Sequence, residues 1–204
     1  MIFIKTHKLK MSCKSLETER TIIREIVESD AEFILDLLNQ PSFIKYIGDR
    51  NVRTARQARE FIENRYRQSY REHGFGLYMV ELKAEFDTLN DESVSAFEIQ
   101  NPKSKIQNRA IGICGFVKRD TLPDADIGFA FLPQFCKQGY ALESAVAIME
   151  YGRDILGLKR VLAITTQDND SSGKLLEKLG FKFENLIKMP TDDEELKLFS
   201  ANMQ

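Results

Sequence analysis

The sequence is poor in the residues that support metal, disulfide or membrane chemistry. Its 204 residues include only two histidines, and three irregularly spaced cysteines, Cys13, Cys114 and Cys136. An odd number of cysteines without CxxC spacing indicates neither a disulfide framework nor a zinc site, so we expect no metal. No apolar run approaches the roughly 20 residues of a membrane-spanning helix, and residues 1–14 lack the apolar core of a signal peptide. We therefore expect a soluble, cytoplasmic protein without a membrane partner.

An excess of charge of one sign is missing too. Lysine and arginine total 29 against 31 for aspartate and glutamate, which gives a net charge of -2. A nucleic-acid-binding protein normally carries a basic excess, so we expect no direct nucleic-acid partner. With 43% hydrophobic residues, 14 phenylalanines and 6 tyrosines, the chain is too apolar for a disordered protein. Its length suits one globular domain with a sizeable core.

The chain does contain a regular alternation of strand and helix patterns, in the order β-α-α-β-β-β-α-β-α-β-β. Segments rich in β-branched residues predict strands, for example TIIREI at 21–26 and RVLAITT at 160–166. The second segment is apolar on both faces, which predicts a central strand. Capping-box patterns at Ser29 and Thr54 predict the starts of two helices. The pattern is typical of an α/β domain.

Neither a repeat nor a linker divides the chain, so we predict a single domain over residues 18–204. A flexible extension at 1–17 precedes it, and Met11 is an alternative start of translation. The polar stretch at 84–109 separates two strands of a predicted antiparallel pair, and it is long for a connection inside a compact domain. We interpret it as a solvated insertion with a short hairpin at 95–99; a functional flap is the alternative.

The most informative stretch is GFAFLPQFCKQGYAL at 128–142, where a strand gives way to a short loop and then to a helix. Such a turn directs several backbone N–H groups to one place at the positive end of the helix dipole. Gly139 would allow a phosphate to approach the backbone closely. The loop matches neither GxxxxGK[ST] nor GxGxxG, and strand–loop–glycine–helix turns also occur without any ligand. The downstream string NxxSxxxxEKLGF at 169–181 is far more specific.

Together the two segments resemble the GCN5-related N-acetyltransferase (GNAT) superfamily, and in particular its ribosomal-protein-acetylating RimJ/RimL-like branch. The resemblance covers about residues 18–201. It implies a mixed, twisted central sheet of about seven strands flanked by helices, with two central parallel strands that splay apart. It also implies acetyl-CoA as co-substrate and direct transfer of the acetyl group to a primary amine in a ternary complex. The acceptor would be a protein N-terminal amine or a small-molecule amine, and the protein a monomer or a homodimer.

The resemblance further implies where the site lies. The pantetheine arm of coenzyme A would lie between the splayed strands, and the loop at 136–141 would bind the diphosphate. Asp126 is the predicted water-mediated general base, with a solvent-facing acid at a strand end as the alternative. Ser172 is predicted to protonate the leaving thiolate, although it and Asn169 could equally be helix caps. The predicted coenzyme-binding residues are Phe131, Leu132, Cys136, Lys137, Gln138, Gly139, Tyr140, Ala141, Asn169 and Ser172.

Three residues depart from the family's pattern. Cys136 stands where the diphosphate loop usually begins with Gln or Arg, Leu142 where Thr or Ser often holds a phosphate, and Leu176 where many members have a tyrosine acid. Cys136 and the missing tyrosine motivate a second hypothesis, a non-catalytic acyl-CoA-binding or regulatory module. A third, a nucleotide-phosphate binder, predicts ATP binding that coenzyme A does not displace. We also expect a lowered pKa for the Cys136 thiol if it lies at the helix N-terminus.

Overall fold

A computed structural model describes residues 10–12, 15–87, 108–189 and 194–203 of the chain. The predicted hairpin at 95–99 and most of the predicted insertion at 84–109 lie outside the described residues. Among the helices of the described part, none is both long enough and apolar enough to cross a membrane.

A mixed sheet of nine strands forms the centre of the described structure, in the order β1-β2-β3-β4-β5-β6-β7-β9-β8. The only parallel neighbours within it are β6 and β7. This arrangement confirms the predicted fold class, with two strands more than the expected seven. The strands are β1 (Lys10–Ser12), β2 (Ser15–Glu17), β3 (Thr21–Glu25), β4 (Leu77–Leu82), β5 (Arg109–Val117), β6 (Asp126–Phe131), β7 (Arg160–Thr166), β8 (Lys182–Lys188) and β9 (Glu195–Asn202).

The two additional strands lie in the segment that we expected to be a flexible extension. β2 pairs with β3 in antiparallel register, from Ser15 opposite Arg24 to Glu17 opposite Ile22, and β1 pairs with β2. Leu16 is buried in the core. The expectation of a flexible extension is therefore wrong for residues 10–12 and 15–17, because β2 pairs with β3 and β1 pairs with β2 at the edge of the sheet.

Seven α-helices occur among the described residues: α1 (Ala31–Leu38), α2 (Pro41–Tyr46), α3 (Ala55–Phe61), α4 (Gln68–His73), α5 (Ala84–Asp87), α6 (Tyr140–Asp154) and α7 (Asp170–Lys178). A π-helical segment, Ile62–Arg67, joins α3 to α4. The predicted cap at Thr54 is confirmed, since its side chain accepts the Gln57 N–H at 3.2 Å. The predicted cap at Ser29 is wrong: a 3-10 turn precedes α1, and Asp30 accepts the Val27 N–H at 2.8 Å.

Helix α6 packs unusually close to the sheet, and glycine makes this possible. A Cβ added to Gly152 would lie 2.6 Å from the ring of Phe116 on β5, a distance that no real side chain tolerates. Phe116 itself is completely buried. The close contact fixes the axis of α6 against β5, and its first turn then lies beside the end of β6.

Candidate active site

The parallel strands β6 and β7 separate almost as soon as they meet. One Cα pair, Asp126 with Leu162, is in register between them, and the Leu162 N–H donates to the Ala125 carbonyl at 2.9 Å. On its other side, β6 pairs with β5 along its whole length. A slot therefore opens between the two strands beyond Asp126 and widens toward their C-terminal ends, which confirms the predicted splay.

Hydrogen bonds alternate along an antiparallel ladder, and this alternation identifies the groups of β6 that face the slot. The Leu132 N–H donates to the Ile111 carbonyl at 3.0 Å, so the even-numbered residues of β6 bond to β5. The odd-numbered residues Phe129 and Phe131 direct their N–H and carbonyl groups toward β7, beyond the last bond between the two strands. Of the two backbone positions predicted for the pantetheine arm, Phe131 thus lies at the slot. The Leu132 N–H is not free for the arm, because it already donates to β5.

The same reasoning applies to the opposite wall. The Met203 N–H donates to the Lys159 carbonyl at 2.9 Å, and the register of β7 with β9 continues from that pair. Odd-numbered residues of β7 therefore bond to β9, and the backbone groups of Ile164 face the slot. Both walls present backbone donors and acceptors that no strand of the described structure satisfies.

At the open end of the slot, the chain turns sharply into α6. Lys137 and Gly139 have φ angles of 62° and 89°, in the left-handed region that glycine adopts without strain. The first bond of the helix joins the Glu143 N–H to the Gly139 carbonyl at 3.0 Å. Four preceding N–H groups consequently have no partner inside the helix, those of Gly139, Tyr140, Ala141 and Leu142. These N–H groups lie at the positive end of a 15-residue helix and suit an anion. We call residues 136–141, which lead into this turn, the cradle loop.

The side chains of the cradle loop contribute less than its backbone. The Gln138 amide donates to the Gln134 carbonyl at 2.6 Å and so holds the loop itself, while Lys137 is exposed. The Cys136 thiol contacts the Leu132 carbonyl at 3.6 Å. Desolvation raises the pKa of this thiol, against a smaller opposing effect of Lys137. The expectation of a lowered pKa is therefore wrong, since Cys136 precedes the first turn of α6 and the field of a helix end is short-ranged.

Asn169 and Ser172 come together at the start of α7. The side-chain oxygen of Asn169 accepts the Ser172 N–H at 3.1 Å, which makes Asn169 the N-cap of this helix. The cap contact involves neither the amide nitrogen of Asn169 nor the hydroxyl of Ser172. Neither group forms a hydrogen bond within the described residues, so both can bind a ligand. Leu176 is buried one turn further along, so this helix offers no hydroxyl at that position.

One polar group near the slot was not anticipated. The Thr165 hydroxyl on β7 is buried and has no hydrogen-bond partner in the described structure. Leaving such a group unsatisfied costs about 1–3 kcal/mol, and a buried orphan of this kind often indicates a missing ligand or water. The sequence around Thr165 reads as an ordinary buried strand, so no local pattern could have singled it out.

Asp126 lies at the closed end of the slot. It is only 1% exposed, which overturns the alternative of a solvent-facing acid at a strand end. Arg119 donates from Nε to its carboxylate at 2.9 Å. Burial raises the pKa of Asp126 to about 6, even though Arg119 opposes the shift. A carboxylate with this pKa is ionised at neutral pH and can still accept a proton, as a general base must.

Nowhere in the described parts of the chain do three or more His, Cys, Asp or Glu side chains come together as a metal site requires. The candidate site therefore consists of a slot with unpaired backbone groups, a cradle for an anion at its open end and a carboxylate at its closed end.

Comparison with known proteins agrees with this geometry. Residues 20–182 match the acetyltransferase (GNAT) domain family, and the chain belongs to that family of acetyltransferases. The uncharacterized N-acetyltransferase YoaA of Bacillus subtilis (strain 168) is 28% identical over 174 residues, which cover 85% of each chain. The ribosomal-protein-S5-alanine acetyltransferase of Vibrio fischeri has a TM-score of 0.70 at 18% identity, over 93% of this chain and 96% of that one.

A third relative was solved with ligands. The spermidine N-acetyltransferase of Vibrio cholerae, in complex with CoA and spermine, has a TM-score of 0.66 at 15% identity, over 90% of this chain and 96% of that one. At these identities the two solved structures show a shared fold. Their acceptors are properties of those proteins.

Proposed function

We propose that the protein is an acetyl-CoA-dependent N-acetyltransferase that acetylates a primary amine by direct attack in a ternary complex. The observation that carries the proposal is the slot between β6 and β7. Its walls present the unpaired backbone groups of Phe129, Phe131 and Ile164, and the pantetheine arm of coenzyme A has amide groups that can pair with them. The cradle loop at the open end suits the diphosphate. The orphan hydroxyl of Thr165 gives the arm a further hydrogen-bond partner.

Acetyl-CoA would supply an activated acetyl thioester, and residues of the chain would handle the protons and the charge. An amine attacks only after it loses a proton, and Asp126 at the closed end of the slot is the proposed base through a water molecule. A slot-facing N–H of β6 is the proposed donor to the oxygen on which negative charge develops. Ser172 is the proposed proton donor to the leaving sulfur. The Asp126–Arg119 contact keeps the carboxylate in place while it remains buried.

The proposal includes two acceptor classes, a protein N-terminal amine and a small-molecule amine. Membership of the RimJ/RimL-like branch would favour the first, and the 169–181 string together with the likeness to the Vibrio fischeri enzyme supports that assignment. The likeness to the spermidine N-acetyltransferase supports the second. A panel of short peptides with free N-termini and of polyamines would separate the two classes by their rates of acetylation.

Titration calorimetry with acetyl-CoA tests the binding part of the proposal. Gly139→Asp places a carboxylate in the cradle, and we expect it to weaken binding at least tenfold. Gly157→Asp is the matched control: Gly157 also has a positive φ, of 66°, and lies in open space near the other end of α6. If Gly139→Asp binds as tightly as Gly157→Asp, the cradle loop does not hold the diphosphate.

Release of free coenzyme A thiol in the presence of the amine panel tests the chemical part. We expect release that depends on the amine and yields an equal amount of acetylated product. Tight binding of acetyl-CoA without turnover on any amine would instead support the non-catalytic module. Binding of ATP that coenzyme A does not displace would support the nucleotide-phosphate binder.

A further inference from the structure

The first turn of α6 is tied to the turn between β2 and β3, more than a hundred residues away in the chain. Glu143 accepts three hydrogen bonds and forms an ion pair there. Its Oε1 atom accepts from the Thr18 hydroxyl at 2.6 Å and from the Arg20 N–H at 2.8 Å. Its Oε2 atom accepts from Nε of Arg20 at 2.7 Å and forms an ion pair with Nη2, also at 2.7 Å. Two nitrogens of the guanidinium thus approach the same carboxylate oxygen, and this contact orients the Arg20 side chain.

From that position Arg20 reaches the cradle loop itself. Its Nη1 atom donates to the Gln138 carbonyl at 3.1 Å, and the guanidinium lies over the ring of the buried Tyr140, 4.5 Å from its centroid. A Cβ on Gly139 would be 3.1 Å from Nη2. Arg20 therefore contacts Gln138 and Tyr140 and lies beside Gly139. A side chain at position 139 would force the guanidinium to shift.

The contact with Gln138 has a consequence for the next N–H group. In a planar trans peptide the carbonyl and the N–H point in opposite directions. Because Arg20 holds the Gln138 carbonyl, the Gly139 N–H is directed away from Arg20. It remains available beside the unpaired N–H groups of the first turn of α6. Arg20 therefore sets the direction of one donor of the cradle loop, the Gly139 N–H.

The charges at the start of α6 also give Arg20 a role at the cradle loop. Glu143 places a carboxylate in the first turn of a helix whose N-terminus would receive a diphosphate, and two like charges there would repel each other. Arg20 neutralises this carboxylate. The loop lacks a cation at position 136, where Cys136 stands, so the loop cannot supply the charge from its own first residue.

We propose that Arg20, held by Glu143, is a positioning residue for the cradle loop: it sets the direction of the Gly139 N–H and cancels the charge of Glu143 beside the diphosphate. The inference rests on the proposed function, because it assumes that the cradle loop binds the diphosphate of acetyl-CoA. It adds a residue from the opposite end of the chain that no motif of the loop contains.

Steady-state kinetics and calorimetry of the full chain test the proposal with Arg20→Gln. We expect the KM and the Kd for acetyl-CoA to rise about tenfold while kcat changes less than twofold. Activity with acetyl-pantetheine, a thioester without the diphosphate, should stay within twofold of the wild type. Arg20→Lys, which keeps the charge but cannot place two nitrogens on Oε2 of Glu143, should recover part of the affinity. Arg67→Gln, which removes an exposed ion pair with Glu63 far from the loop, is the control and should bind as the wild type does.

Glu143→Gln separates positioning from charge alone. If Arg20 must be held in place, this variant binds acetyl-CoA more weakly than the wild type, and its effect is not additive with that of Arg20→Gln. If only the sum of charges matters, Glu143→Gln binds more tightly, and the positioning role is overturned.

Two further results would overturn the inference. One is acetyl-CoA affinity of Arg20→Gln within twofold of the wild type; the other is an equal loss with acetyl-pantetheine, which indicates general misfolding. Failure of the wild type to bind acetyl-CoA would instead refute the proposed function.

Discussion

The two edges of strand β6 differ in how completely they are hydrogen-bonded to a neighbouring strand. On the β5 side six consecutive residue pairs are in register, from Gly112 opposite Phe131 to Val117 opposite Asp126. On the β7 side a single pair is in register. The same six residues are thus paired throughout on one side and form a wall of the candidate site on the other.

The difference between these two edges explains why the candidate site lies between β6 and β7. A backbone edge that is satisfied by a neighbouring strand contributes rigidity, whereas an edge left open in the middle of a sheet retains donors and acceptors at fixed spacing. We call the side of β6 that pairs with β5 its closed edge and the side that faces β7 its open edge. Pairing at the closed edge fixes the position of the backbone groups at the open edge. Substitutions at the closed edge should therefore act on stability, and substitutions at the open edge on ligand binding or catalysis.

The largest expected effect is at the closed edge. Gly115 on β5 and Gly128 on β6 are cross-strand partners. A Cβ at Gly115 would lie 2.1 Å from the Gly76 carbonyl oxygen, whereas one at Gly128 would meet only side chains, those of Leu77 at 3.3 Å and Val117 at 3.7 Å. We expect Gly115→Ala to lower the free energy of unfolding by on the order of 5 kcal/mol and Gly128→Ala by about 1 kcal/mol or less. Urea denaturation measures both. Equal losses would mean that β4 does not approach β5 as closely as described.

At the open edge, the next largest effect should fall on the reaction rate. Asp126→Asn removes the proposed base, and we expect kcat to fall at least about a hundredfold, with the affinity for acetyl-CoA unchanged. Asp124→Asn, two residues earlier and about one third exposed, is the matched control and should retain its activity. A fully active Asp126→Asn variant would assign the base to another group.

The pH dependence of stability should distinguish Asp126 from ordinary carboxylates. Since burial raises its pKa from 3.8 to about 6 in the folded chain, the folded state binds the proton more tightly than the unfolded state does. The contribution of this group to stability therefore grows as the pH falls from about 6 to 4 and is lost as the pH rises through 6, with a total on the order of 3 kcal/mol. Urea denaturation of the wild type and of Asp126→Asn across this range should diverge by that amount, while Asp124→Asn should follow the wild type. Parallel curves for Asp126→Asn and the wild type would show that Asp126 titrates normally.

The smallest effect should come from Thr165, where stability and binding should change in opposite directions. Thr165→Val removes a buried hydroxyl without a partner at nearly constant volume, so we expect the free energy of unfolding to rise by about 1 kcal/mol. If the hydroxyl binds the coenzyme, the affinity for acetyl-CoA should fall several-fold in calorimetry. Thr166→Val is the comparison: its hydroxyl already bonds to Asp168 at 2.8 Å, so its loss should bring no gain in stability. A rise in both quantities for Thr165→Val would remove Thr165 from the site.

Local signals in the sequence predicted much of this arrangement. The start of α6 at Tyr140 follows from the glycine before it, and the strand at 160–166 follows from its apolar run; both coincide with the structure. The splay of β6 from β7 followed only from the family resemblance. No single stretch of sequence contains it, because it is a property of two strands that come from distant parts of the chain.

The errors share a cause. Whether the Leu132 N–H is free depends on the register with β5, and the pKa of the Cys136 thiol depends on how far the folded chain desolvates it. The pairing of β2 with β3 and the contact of Arg20 with Glu143 likewise arise from tertiary structure. Local sequence patterns predict elements and turns, whereas register, burial and contacts between distant segments decide which groups remain free.

The open edge of β6 also has a consequence for the dynamics of the sheet. Amide protons that are bonded between strands exchange with solvent only when the strands open, whereas unbonded ones exchange readily. Within this one strand, therefore, protection should alternate from residue to residue, slow at Gly128 and Ala130 and fast at Phe129 and Phe131. A ligand that fills the slot would remove the alternation, and its residence time could then be followed at individual amides in the centre of the protein.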